Sequence, residues 1–101
     1  MDRNLDSEKS KEIIHEQLLQ FVTEIIGSDV VEELNITKES IFTKDLEMDS
    51  IEIVAFAEKV RVQYGTAVDF TSWISNMELE GLINLSFSQV IDFIYNSLYV
   101  K

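Results

Sequence analysis

The sequence predicts an all-α fold: a small four-helix bundle of three longer helices and a short third one, with a long loop between the first and second. Three observations point there. Apolar residues recur at three- and four-residue spacing in separate stretches. Two capping-box patterns, Asp49/Glu52 and Ser86/Gln89, stand directly before two of those stretches. The 101 residues include no proline to interrupt a helix. Strand content should be close to nil, although the β-branched residues of 51–54 could mislead a count of propensities.

Each element follows in order. Residues 1–6 carry no apolar stripe and are expected to be disordered, leaving a core over about 8–98. Ile14, Leu18, Phe21, Val22, Ile25 and Ile26 paint one side of a first helix, with Ser7 as its N-cap and Gly27 as its stop. Residues 28–49 lose the period and read as a long packed loop pinned by scattered apolar anchors, among them Val30, Phe42 and Leu46, with Thr37 a possible cap for one short turn. Asp49 and Glu52 open a second helix over about Ser50–Tyr64, which Gly65 ends. Asp69 or Thr71 caps a short third helix around Trp73–Leu79. Ser86 and Gln89 open the last helix, about Phe87–Leu98. Helices of about 20, 15 and 12 residues cannot bury their stripes singly, so they should pack together as one domain, 1–101.

Composition narrows the function. Nineteen acidic against eight basic residues give a net charge of −11, which repels phosphate backbones and removes nucleic acid as a partner. The absence of cysteine removes thiol catalysis and zinc–thiolate sites, and a single histidine is too few for most transition-metal sites. His15, beside Glu12 and Glu16, reads as a solvated helix-surface residue. An EF-hand starting at Asp45 fails, because its sixth position is Ser50 and its twelfth is Phe56. Without a signal-like or membrane-spanning apolar run, the expectation is a cytoplasmic protein that does not enter membranes. A monomer that docks on other proteins is the leading class.

The informative segment is Asp45-Leu46-Glu47-Met48-Asp49-Ser50-Ile51-Glu52. Ser50 stands one residue inside a helix behind its capping aspartate, where first-turn N–H groups and the helix dipole favour a negative charge such as a phosphate ester. Position alone is equally met by a helix-start serine with no further role. The segment resembles the phosphopantetheine attachment motif of the acyl carrier and peptidyl carrier protein family, stand-alone type. Phe42 and Asp45-Leu46 match its F-x-x-D-L, Asp49-Ser50-Ile51 its D-S-L/I, Tyr64-Gly65 its aromatic and turn, and Val90–Ile94 its closing helix. Residues 8–98 follow the family's order of elements.

The resemblance implies that Ser50 carries 4′-phosphopantetheine, installed from coenzyme A by a phosphopantetheinyl transferase, and that the protein is no enzyme. It would hold acyl or aminoacyl thioesters and present them to a loading ligase or acyltransferase and to downstream biosynthetic enzymes. Partner recognition in the family falls on the start and exposed face of the second helix, here Met48, Asp49, Ile51, Glu52 and Ala55. Residues 28–49 hold seven acids and two bases, net −5, whereas 50–65 hold two of each. Fatty-acid-synthesis carriers have an acidic second helix, so this neutral one points to a polyketide or nonribosomal-peptide type of pathway. The glycine often found two residues before D-S is Glu47 here, and the stretch 68–85 is longer than in the shortest members. The alternatives are a fatty-acid-synthesis carrier and a helical adaptor without a covalent group. A hydrolase using Ser50 lacks a base, because His15 lies on the far helix.

Overall fold

Helical periodicity becomes six α-helices in the computed structural model, which describes residues 3–100, with side chains from Ser7 onward. They are α1 (Arg3–Ile26), α2 (Ser28–Leu34), α3 (Ser50–Tyr64), α4 (Phe70–Ser75), α5 (Leu79–Ile83) and α6 (Phe87–Tyr99), with a 3-10 turn at Gly65–Ala67. Among the described residues no strand forms; Ile41 and Ser86 make an isolated antiparallel bridge. The long helix α1 packs on α6, α3 and α2, and α3 packs on α4.

The stripes seen in the sequence meet in one core. Leu18, Val22, Val60, Phe87, Val90 and Ile94 are sealed from solvent, each burial removing apolar surface from water at about 25 cal/mol per Å². Aromatic rings link the elements: Phe42 lies 4.9 Å from Phe56 and 4.4 Å from Phe87, and Phe56 meets Phe21 and Phe70 edge-on. Trp73 stacks on Phe93 at 4.2 Å and tilts against Phe70, capping this core from α4.

Four boundaries differ from the sequence reading. The first helix starts at Arg3, so the disorder expected for 1–6 does not hold for 3–6; Met1 and Asp2 lie outside the described residues. Ser7 is an interior residue rather than the N-cap, and its hydroxyl pairs with the Tyr95 hydroxyl on α6 at 2.8 Å. The 28–49 loop contains α2, which Gly27 precedes without a side-chain cap and which buries none of its residues. The third helix is two helices: Asn76 closes α4, and Glu78, extended at φ −70° and ψ 155°, opens α5. Of the two caps expected for the third helix, Asp69 is the one used, accepting from the Ser72 N–H.

The segment before α3 is stitched to the segment before α6. Phe42 N–H donates to Leu85 O at 3.1 Å, Phe87 N–H to Ser40 O at 3.1 Å and Ser88 N–H to Lys38 O at 2.8 Å. The Thr43 hydroxyl donates to Ile83 O, and Lys44 Nζ to Asn84 Oδ1 at 2.6 Å. These bonds replace a sheet as the device that fixes the loop.

His15 is not a solvated surface residue. Its ring packs edge-on against Phe87 at 5.6 Å, and its buried Nδ1 has no hydrogen-bond partner. Burial, with Lys38 adding to it, lowers its pKa from the ordinary 6.5, against an opposing pull from Glu16. The unfolded chain therefore takes up the proton more readily than the folded one. The stability due to neutral His15 is present in full above pH 6.5 and is lost as pH falls through the folded value. The melting temperature of the wild type should fall faster than that of His15→Leu on acidification below that point, and parallel curves would refute this.

Candidate functional site

The site begins with the loop that delivers the chain to α3. Asp45 N–H donates to Ile41 O at 2.8 Å, while Asp45 Oδ2 accepts from Ile41 N–H at 2.6 Å, closing a tight local turn. Leu46 and Met48 are driven into the core at 5% and 3% exposure. Between them Glu47 takes φ +53°, left-handed backbone that favours glycine. The residues on either side point inward, and Asp49 and Ser50 come out exposed.

At Asp49 the chain is extended, φ −87° and ψ 178°, and the capping box closes as expected. Asp49 Oδ1 accepts from Glu52 N–H at 2.8 Å and Glu52 Oε1 accepts from Asp49 N–H at 3.0 Å. A helix start leaves its cap and first three N–H groups without intrahelical acceptors. The box satisfies those of Asp49 and Glu52. Those of Ser50 and Ile51 remain at the positive end of a helix of 15 residues. The exposed Ser50 side chain stands at that end.

Beside Ser50 opens a cavity of about 350 Å³ that the sequence reading did not foresee. Met48, Ile53, Val54, Ile74, Leu82 and Ile83 line it, and Ser50 is part of its wall. The loop, α3, α4 and α5 each supply a side. Thr43 and Ser75 contribute the other polar groups, and the Thr43 hydroxyl is already engaged by Ile83 O.

Of the residues expected to meet partners, Asp49 and Ile51 are exposed, Ile51 by 78%, while Glu52 and Ala55 are half-buried. Met48 is corrected: its side chain is a core and cavity residue rather than part of the exposed face. The turn at Glu47 reverses its direction. Val54 and Val62 on α3 are also exposed, by 66% and 72%, which the sequence did not reveal because a helix with apolar residues on two faces shows no clean stripe. Farther along α3, Arg61 binds Glu58 and Lys59 binds Glu24, and these hydrogen bonds hold both carboxyl groups below the usual carboxylate range.

Among the described residues no helix is long and apolar enough to cross a membrane. Comparison of the chain with family models, with curated proteins and with solved structures finds no match.

Proposed function

We propose that the protein is a non-catalytic carrier whose Ser50 accepts 4′-phosphopantetheine and which presents acyl intermediates to partner enzymes. What carries the reading is an exposed serine at the positive end of a capped helix, beside an apolar cavity. The residues present fit the group. The N–H groups of Ser50 and Ile51 and the helix dipole favour the charge of a phosphodiester at this oxygen. The bound group supplies the thiol that a chain without cysteine lacks. Asp49 and Glu52 hold the helix start in place, and Leu46 and Met48 anchor the loop that leads to it.

The cavity favours acyl over aminoacyl cargo, because a charged amine would lose its hydration against Ile53, Ile74 and Leu82. The neutral α3 favours partners of a polyketide type of pathway over those of fatty-acid synthesis. A second reading is a helical adaptor without a covalent group, favoured by the exposed apolar residues Ile51 and Val62.

One experiment separates the two. Incubated with coenzyme A, Mg²⁺ and a broad-specificity phosphopantetheinyl transferase, the intact protein should gain the mass of one phosphopantetheinyl unit, and Ser50→Ala should gain none. An unchanged wild-type mass, or an equal gain in the variant, rejects the carrier and leaves the adaptor.

A further inference from the structure

The one histidine of the chain sits where the loop is stitched to the last helix. Its ring stands edge-on to Phe87, the first residue of α6, with centroids 5.6 Å apart. Phe87 in turn lies 4.4 Å from Phe42. Phe42 O accepts from the N–H of Met48, which stands two residues before Ser50. At the same point the first turn of α6 gives two N–H groups to the loop, that of Phe87 to Ser40 O and that of Ser88 to Lys38 O. Among these residues only His15 changes its charge near neutral pH.

That position accepts the neutral ring and resists the cation. An imidazolium carries a proton on both nitrogens, whichever tautomer preceded it, and the buried Nδ1 has no hydrogen-bond partner. An unpaired donor on a charged group is costly away from water. The charges that act on the ring do not offset this: Lys38, from the loop, repels a second cation, and Glu16, next to His15 on α1, attracts it more weakly. Glu12, one turn earlier on α1, is exposed. Helix α6 offers no charge before Asp92, which Lys11 holds at 3.1 Å, and its positive end lies at Phe87. The relief open to a protonated ring is to leave Phe87 for water, which undoes the stitch.

We propose that His15 is a pH-sensitive clasp on the loop that delivers Ser50: as a neutral ring it seats Phe87 against Phe42, and as a cation it releases residues 38–48 from α6. Opening takes up one proton, because the freed ring regains the ordinary pKa of 6.5, so falling pH favours the open loop. The chain's carboxylates act in the opposite direction, since their protonation lessens the repulsion within a molecule of net charge −11. Substitution of His15 alone tells the two apart.

The test is amide exchange, read by NMR between about pH 7.5 and about pH 5, at Phe42 and Ser88 on the two sides of the stitch and at Met48. Protection factors, which remove the intrinsic pH dependence of exchange, should fall at all three as the pH drops below 6.5, by up to about tenfold per pH unit for a single proton. They should level off once the folded ring is charged. In His15→Leu they should not fall. Lys38→Met, at an exposed position, removes a cation from beside the ring, and its curve should level off at a higher pH. Val60, sealed in the middle of α3, should be better protected than all three throughout, which marks the opening as local. Melting curves confirm that each variant is folded. Curves that run parallel in the wild type and His15→Leu overturn the clasp. So does a Val60 amide that exchanges as fast as Met48, because the molecule then opens only as a whole. If His15→Leu does not fold, Lys38→Met decides, and a curve unchanged from the wild type overturns the proposal. Exchange is read on the unmodified protein, so the outcome stands apart from whether Ser50 accepts a phosphopantetheinyl group.

Discussion

Phe42→Ala should remove about 3–5 kcal/mol of stability, the range for emptying a buried aromatic position. Phe42 is 2% exposed and sits between the rings of Phe56 and Phe87, so its loss opens a gap where α3, α6 and the loop converge. Small domains hold only about 5–15 kcal/mol in total, so the variant stands close to the unfolding threshold. The consequence reaches the site, because Phe42 N–H binds Leu85 O and Phe42 O accepts from Met48 N–H at 3.0 Å. Urea denaturation gives the first effect, and amide exchange at Met48, faster than in the wild type, gives the second. Phe42→Leu, which refills much of the volume, should keep the fold and recover most of the loss. A cost for the alanine variant below about 1 kcal/mol would contradict the packing described for Phe42.

Glu47→Gly should do the reverse and raise stability by about 0.5–1 kcal/mol. The left-handed backbone at φ +53° costs a residue with a side chain about 1–2 kcal/mol. Part of that relief is returned through the greater freedom of glycine in the unfolded chain. The Glu47 side chain is exposed, so no core packing is lost with it. In a domain of this size the gain corresponds to a rise of a few degrees in melting temperature, about 4–8 °C per kcal/mol. A lowered melting temperature would mean that the Glu47 side chain contributes more than its backbone costs. Glu47→Ala, which keeps the left-handed cost without the carboxylate, separates the two contributions.

What could be read in advance depended on how local the determinant was. The start of α3 was legible because Asp49 and Glu52 encode the cap within four residues, and the stops at Gly27 and Gly65 because both adopt positive φ. The helix α2 was not legible. Its N-cap is a glycine that offers no side-chain acceptor, and only Val31 and Leu34 are half-buried against the core, too few to paint a stripe. The break at 76–78 lacks glycine and proline, which left two short helices looking like one. Met48 was misjudged because one residue in left-handed backbone decides which way its side chain points. The cavity was hidden for another reason: its walls come from Thr43 to Ile83, and only the packed chain brings them together. The environment of His15 is likewise made by Phe87 and Lys38, remote in sequence.

The stitching of residues 38–44 to 83–88 also sets an order of events during synthesis. A nascent chain that has emerged through Tyr64 already contains Ser50 and its cap, yet it lacks the carbonyls of Ile83 and Leu85 that hold Thr43 and Phe42. Until α6 leaves the ribosome and docks, the loop ahead of the serine can pack Phe42 on Phe56 but lacks Phe87 and the hydrogen bonds to residues 83–88. Any enzyme that recognises that loop in its settled shape therefore acts only after α6 has docked, and not on a chain that has emerged no further than α3.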